Sequence, residues 1–545
     1  MKRSLVLCAI GLLAVLCVGC TKISTQTTTN QPGNPWTIHG VLRVAALDEP
    51  DNLNPMVGNQ QAEVDLSLLW GAYLFRFNND NQWVPELATR VPTLANGDIS
   101  KDGLEITYHL RKGVTWQDAA PFGADDVIFS WRQIMNPRNN VASRVGYDDI
   151  TCIDKINDQT IHVHLHRPYA PFLSAFFSMG GTPIEIIPKH LLSQYQDLNR
   201  VAYNNHPIGT GPFVVERYDH GSMIKFVANP TYFRGPPKIK EIDWHFIPDA
   251  NTIMTQLRTH EVDAEFAMPY EYAPALQTIP GIRLYRTPLT AYDQIALNLT
   301  NPVLADKAVR QALAYGLDRV TLLKKVYHNT PLLADSDQPT FLWAHDPSLR
   351  QYNYNPQLAA RMLEADGWTL ASDGYRYRNG QRLHVELVTT PTGSGSDSIF
   401  VQQNWKAVGV DVSIKIVAGP IFFATYGGGG TLQTGKFDVA FLGWFNGADP
   451  DDSTQFMCDQ FPPVGQNFYH FCNHELDAQE QIALASNDLQ TRKAAYYRIQ
   501  EILVDEEPTI FMYFVRRISA LNTDFKNFKP SHAVSVLWNP WEWEI

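Results

Sequence analysis

Short runs with period-two apolar alternation trade places with stretches of helical spacing along nearly the whole chain, and this limits the possible folds more than anything else. Leu42, Val44 and Ala46 alternate with Arg43 and Ala45, a strand leading into a Pro-terminated loop. "AEVDLSLLWGAYLFRF" reads as a helix and then a strand. After a turn at Asp102-Gly103, Leu104, Ile106, Tyr108 and Leu110 share one face of a strand. In "GADDVIFSWRQIMNP", Ala124 or Asp125 is placed to cap a helix whose apolar side includes Val127, Ile128, Trp131 and Ile134, and Pro137 closes it. Further strands are expected in "QTIHVHLHRPY", "KIKEIDWHFIPD", "DQIALNLTNP", "RLHVELVTT", "DVSIKIVAG", "GKFDVAFLGW" and "PTIFMYFVRRISAL". Helices are expected in "ANTIMTQLRTHEV", "DKAVRQALAYGLDRVTLLKKVY", "NPQLAARMLEADGW", "DSIFVQQNWKAVG" and "LQTRKAAYYRIQEILVDE". The fold class is α/β with mixed sheets. A chain of 545 residues exceeds what one core supports, so two or three domains are expected.

The first twenty residues, "MKRSLVLCAIGLLAVLCVGC", join Lys2 and Arg3 to an apolar run from Leu5 to Val18. That run is short for a membrane span and fits the core of an export signal. It ends in Val18-Gly19-Cys20, which resembles a bacterial lipobox, although Cys17 stands where Leu is usual. The reading is a lipoprotein signal over residues 1–20 with Cys20 lipidated; the alternative is a plain secretory signal. Residues 21–36, rich in Thr, Gln and Asn, read as a flexible tether. Of the six cysteines, Cys8 and Cys17 leave with the signal. In an exported chain disulfides persist, and Cys458 and Cys472, which bracket a short loop, are the expected pair. Cys152 is expected to be a buried free thiol.

A net charge of -12, spread along the chain, gives no basic face and argues against a nucleic-acid partner. Enzymatic signatures fail one by one. His260-Glu261 and His474-Glu475 lack the second histidine of a zinc protease helix, "PTGSGSDS" is no nucleophile elbow, and "IGTGPF" lacks the P-loop lysine. The segment Gly443 to Asp452, "GWFNGADPDD", concentrates one tryptophan, one asparagine and three aspartates at the end of an expected strand. Pro450 interrupts Asp449, Asp451 and Asp452, and no Gly-then-Glu completes a calcium loop. No metal or cofactor is expected, and the segment is left as either a ligand wall or a set of loop-capping aspartates.

Several long blocks, in order, resemble the family 5 solute-binding proteins, the oligopeptide- and dipeptide-binding class. The core of the likeness is Asp102-Gly103-Leu104, His109 to Val114, Trp116-Gln117-Asp118, Pro121-Phe122 and Ala124 to Val127. "PIGTGPFVVERY", "NPTYFRGPPKIKEIDWHFIPDANT" and "VRQALAYGLDR" continue it, and "GWFNGADPDD" falls at the family's G-W-x-x-D-x-x-D-P segment. The resemblance implies a two-lobed periplasmic-binding-protein-like fold with an extra subdomain in the first lobe. Domain I would comprise residues 37–75, 200–287 and 511–545, domain II 76–199 and domain III 288–510, with hinge crossings near Thr287-Pro288 and Pro508-Thr509. It also implies a function, capture of a solute outside the membrane and delivery to an ABC transporter permease, by a lipid-anchored chain expected to act as a monomer.

In peptide binders of this family the Trp lines the cleft, and an Asp three residues later meets the peptide's α-ammonium group. Trp444 matches the Trp, but the third residue on is Gly447, preceded by Asn446, and the segment is one residue shorter before Asp449-Pro450. Asn446 or Asp449 is therefore expected to supply the polar contact. Strand-to-loop junctions add Tyr292, Asp293, Gln294, Asn298, Trp405 and Tyr426 as candidates, each also readable as structural, Trp405 on its helix more as core than as contact and Asn298 at a strand end with the better case. Three functions remain open: a peptide binder, the same fold binding a sugar, an opine-like compound or a metal chelate, and a metal-dependent hydrolase built on the aspartates.

Overall fold

The structure is a computed structural model that describes residues 33–545 except 59, 142, 182, 392–394 and 534. The signal, Cys20 and most of the segment read as a tether lie outside the described residues. That segment's last residues are docked rather than free. Asn34 donates its backbone N–H to Asp524 at 2.6 Å, and Trp36 stacks on His260 with ring centroids 3.6 Å apart.

Most expected elements form where the periodicity puts them. Val41–Ala46, Glu241–Phe246, His384–Thr389, Asp411–Ile416 and Val439–Phe445 are strands. Pro356–Ala365 begins after Asn355, whose side chain accepts from Leu358 N, and Leu489–Glu506 is capped by Asp488 through Thr491 N. The helix Ala124–Met135 is capped by Gly123, one residue before the expected position, because Asp126 reaches back to accept the Gly123 N–H. The expected strand around "DQIALNLT" is far longer, Ile282–Leu297, since it is held along its whole length by Thr509–Asn522.

These two long strands, of 16 and 14 residues, join two halves of one sheet. On one side the sheet continues through Ala264–Glu265, Val41–Ala46, Glu241–Phe246, Met223–Ala228 and Phe213–Asp219. On the other it continues through Val439–Phe445, His384–Thr389 and Asp411–Ile416. Pairing is mixed: Val41–Ala46 runs parallel to both its neighbours, whereas Ile282–Leu297 is antiparallel to both of its own. The ladder between the long strands loses register between Pro288 and Tyr292 and again between Asp293 and Gln294. Pro288 has no N–H to donate there.

Both faces of the second half are covered. Ile295, Leu297, Val439 and Phe441 point into one apolar cluster, and Ala296, Ala440 and Leu442 into another. The first half shares a continuous core with residues 99–192, whose small sheet orders Glu105–His109, Thr160–Leu165 and Ile150–Asn157. A fully buried ion pair, Arg76 Nε to Glu86 Oε2 at 2.8 Å, ties this region to the C-terminal segment, with Arg76 also donating to Trp538 O. Cys458 and Cys472 are disulfide-bonded. Cys152 is exposed, not buried: it lies on Ile150–Asn157, the outer strand of the small sheet, whose register slips between Ile150 and Cys152, so Cys152 turns outward although Ile150 and Ile153 are buried.

Burial pushes the carboxyls of Glu185, Glu265 and Glu480 up to about 8. In the unfolded chain a glutamate has already lost its proton well below that pH. The folded state therefore holds the extra protons, and stability falls as the pH rises from about 5 to about 8. Neither carboxyl oxygen of Glu185 has a hydrogen-bond partner among the described residues. Urea unfolding should show the wild-type chain losing stability over that interval, and Glu185→Gln, which keeps the shape without the titration, losing less.

Candidate ligand-binding cleft

Strand Val439–Phe445 ends where the two halves face each other, and its last residues define a cleft. Its partner Ile282–Leu297 sets Tyr292 opposite Trp444 and Asp293 opposite Gly443. Alternation then sends Trp444 to one side of the strand and Gly443 and Phe445 to the other. Half-buried Trp444 lines a cavity of 490 Å³ whose far wall includes Gln60, Val64, Tyr147, Tyr169 and Gly181. A ring here offers a large apolar face together with one N–H.

The halves touch across this cleft. Ala448 N donates to Gly180 O, Ala170 N donates to Leu484 O at 2.6 Å, and Tyr169 OH donates to Asp451 Oδ2 at 3.1 Å. Gly447 is pressed against the same backbone: a Cβ there would collide with Gly180 O. The place where the family's peptide pattern calls for an ammonium-binding aspartate is thus filled by main chain from the opposite wall, and no side chain fits.

The polar residues of the segment are committed to holding it. Asn446, 2% exposed, donates its backbone N–H to Thr290 O at 2.7 Å, and its Nδ2 donates to Asp337 O at 2.8 Å. Asp449 accepts two hydrogen bonds from Arg492, at 2.8 and 2.6 Å, in a largely buried pair. Arg492 also donates to Ala483 O and lies over Trp343, and the pairing raises its already high pKa. Asp451 caps Ser453. Asp452 is buried between Asp337 and Glu480, and burial with these like charges raises all three carboxyls. Among the described residues, the three groups of His, Cys, Asp or Glu close enough to hold a metal contain no residue of this segment.

Other candidates fall in different places. Tyr292 is fully buried and donates to Gln455 Oε1. Gln294 is fully buried, accepting from Tyr469 and Thr509. Asn298 lies at the far end of the strand, where its amide donates to Gly435 O and Phe437 O and fixes a loop. Trp405 is a core residue donating Nε1–H to Leu313 O at 3.0 Å. These four are corrections to the sequence reading: alternation identifies buried strand or helix positions without saying which end of the element meets the cleft. Tyr426 is 49% exposed, and from its loop it is Phe423 that reaches a cavity. Asp293 alone of the junction residues opens onto the cleft, in a 660 Å³ cavity that shares Phe445 with the first. Arg516, Arg517 and Tyr270 line it too and were not singled out from the sequence, although two adjacent arginines inside an otherwise apolar strand were a visible signal.

Comparison with known proteins gives one direction. The sequence profile of the bacterial extracellular solute-binding proteins, family 5, matches residues 82–463. The chain is 24% identical to the oligopeptide-binding protein AppA of Bacillus subtilis over 99% of this chain and 98% of that one. It is 27% identical to di/tripeptide-binding protein 2 of Pseudomonas aeruginosa over 78% and 81%. Among solved structures, NikZ from Campylobacter jejuni in complex with Ni(L-His) matches with a TM-score of 0.78 at 26% identity, covering 93% of this chain and 100% of that one.

Removing the charge from Asp449 leaves the Arg492 guanidinium buried without a counter-ion. Asp449→Asn should therefore cost about 3–5 kcal/mol of stability in chemical denaturation, the scale of breaking a buried pair from one side. Unchanged stability would show that the pair does not hold the loop.

Proposed function

The chain belongs to the family 5 bacterial extracellular solute-binding proteins, and from that premise we propose that it captures short peptides in the cleft bounded by Trp444 and passes them to an ABC transporter permease. The carrying observation is the cleft itself. An indole at a strand end faces a second wall across a 490 Å³ cavity, between lobes joined through two long strands. The register break at Pro288–Tyr292 is the hinge of this reading, and the return strand would cross beside it between Phe514 and Arg516 rather than at the expected Pro508-Thr509, because Thr509 pairs with Ala296 well inside the second half. In this reading domain I takes residues 37–75 and 200–287, domain II 76–199 and domain III 288–510, and Phe511 to Phe514, which pack in the cores of the second half, go with domain III rather than with the last segment of domain I. No bond is made or broken; ligand binding shifts the open–closed equilibrium. Gly447 favours a second reading in the same fold, a small non-peptide solute such as a metal chelate, because the usual ammonium partner is missing.

Ligand released by mild denaturation of purified protein, identified by mass spectrometry, decides between these: peptides support the first reading, and a chelate or sugar replaces it. Trp444→Ala should weaken binding of the recovered ligand by about 1–3 kcal/mol while leaving the fold intact, and ligand addition should change the wild type's tryptophan fluorescence.

We also propose that the chain is exported and held at the outer face of a bacterial membrane by lipid on Cys20. The charged start, the short apolar run and Val18-Gly19-Cys20 support this, and no helix among the described residues is long and apolar enough to cross a membrane. Cys20→Ser should release the protein in soluble form; a variant that stays with the membrane would remove the anchor.

A further inference from the structure

The aspartate-rich loop has no free charge to offer a ligand. Gly447 is closed off by Gly180, Asp449 is occupied by Arg492, and Asn446 is tied to Asp337. On the other side of the same strand the situation is reversed. Asp293 stands beside Gly443 so closely that a Cβ on Gly443 would lie 2.9 Å from its Oδ1, and the carboxylate occupies the space a side chain would take. Among the described residues Asp293 has no ion-pair partner, and its nearest charged or titratable neighbours are Asp397 and the phenols of Tyr270, Tyr327 and Tyr513. Tyr327 and Tyr513 hydrogen-bond to Asp397 and to each other, and the Tyr513 hydroxyl also reaches Asp293, so its carboxylate has a neutral partner but no cation.

The cavity in front of Asp293 holds 660 Å³ and is walled by Tyr270, Phe423, Phe441 and Phe445. Arg516 and Arg517 line it from strand Thr509–Asn522, and neither forms a salt bridge among the described residues. Arg516 Nε is buried with no hydrogen-bond partner among them. Asp293 and Glu271 thus share the chamber with the two arginines without an ion pair between them, while Arg516 also donates to Thr330 O and Arg517 lies near the buried carboxyls of Asp65 and Glu265. Asp293 pairs with Tyr513 in the ladder, three residues before Arg516, so the backbone positions of Asp293 and Arg516 lie roughly 10 Å apart at strand rise. An extended chain of about three residues covers that length.

We propose that this chamber is the charge-recognition subsite of the cleft, taking the free α-ammonium of a short zwitterionic peptide on Asp293 and its terminal carboxylate on Arg516 and Arg517. This rests on the peptide reading above and adds which ends of the ligand are recognised and where. Electrostatics agree with the assignment. Burial, against a hydrogen bond from Tyr513 and with help from the nearby Asp397, pushes the Asp293 carboxyl up to about 7, so a bound ammonium would favour its charged form. Guanidinium groups suit a planar carboxylate that accepts two parallel hydrogen bonds. The unmatched polar groups on both sides also disfavour ligands that lack either terminal charge.

The test uses three mixed tripeptide libraries, with free termini, N-acetylated and C-amidated, offered to the full-length protein, retained peptides being quantified by mass spectrometry. Wild type should retain the free library at least about tenfold better than either blocked one, the effect of losing one charge-assisted contact. Asp293→Asn should erase the preference for a free amine and keep that for a free carboxylate; Arg516→Gln should do the opposite. Gly443→Ala, which crowds the Asp293 carboxylate without removing it, should also weaken retention of the free library. Equal retention of free and N-acetylated peptides by wild type overturns the assignment even if the variants fail to fold. Free-amine preference that survives in a folded Asp293→Asn also overturns it and leaves the peptide reading standing. Retention of no library by wild type overturns both.

Discussion

The antiparallel ladder between Ile282–Leu297 and Thr509–Asn522 is the constraint on which the rest of the structure depends. Each strand belongs to the first half of the sheet at one end and to the second half at the other. Buried backbone groups must be paired, so the sheet can bend between its halves only where that pairing already fails. The failure is local, between Pro288 and Tyr292, where the chain has a residue without an N–H and Thr290 turns instead to His532 O and Asn446. Packed cores on either side and a broken ladder between them make a two-lobed body, and in the proposed reading the lobes would move relative to each other at those few residues. Arg516, Arg517, Asp293 and Tyr270 sit beside that break.

Charge is distributed around the cleft under the same pressure to leave nothing unpaired. A loop with three aspartates near a tryptophan suggests an acidic ligand site, yet every one of these carboxylates is engaged with protein. Asp449 neutralises Arg492, Asp451 caps Ser453 and receives Tyr169 from the other wall, and Asp452 is buried against Asp337 and Glu480, which with burial raises its carboxyl. Removing them from water is tolerable because each is paired, hydrogen-bonded or protonated. The loop is thereby fixed, which is what a contact surface for Trp444 requires.

The architecture was largely legible in the sequence because each helix and strand announces itself by local period, and caps such as Asp488 and Asn355 mark their own starts. The family blocks added the order of the lobes. Positions within the cleft were much less legible. Tyr292 and Gln294 share the strand that carries Asp293, but only Asp293 lies on the side that opens to the chamber at the height of Gly443. Asn298 sits on the same strand at its far end. Period two gives the face of a residue and says nothing of the end of the strand at which the other lobe arrives. The role of Gly447 was hidden for a related reason. The missing carboxylate could be read, but its cause, the carbonyl of Gly180 far earlier in the chain, is a tertiary contact with no local signature.

In the proposed reading, closure and charge recognition would be coupled through that contact. The backbone approach of Gly447 to Gly180 brings the walls together more tightly than any side chain at 447 would permit. A charged group there would hold the lobes apart, so a chain that closes this way must recognise charge elsewhere. The chamber assigned above places recognition on Asp293 and on Arg516 and Arg517, carried by the two strands that run through the hinge. A ligand that bridges them fixes the spacing of those strands at the break in their ladder. Its binding energy then acts on the element that governs closure, and only the difference between its affinities for the open and closed forms shifts the balance. A solute with one terminal charge would engage one strand and leave the other free, so selection by length and by charge would follow from the same geometry that closes the cleft.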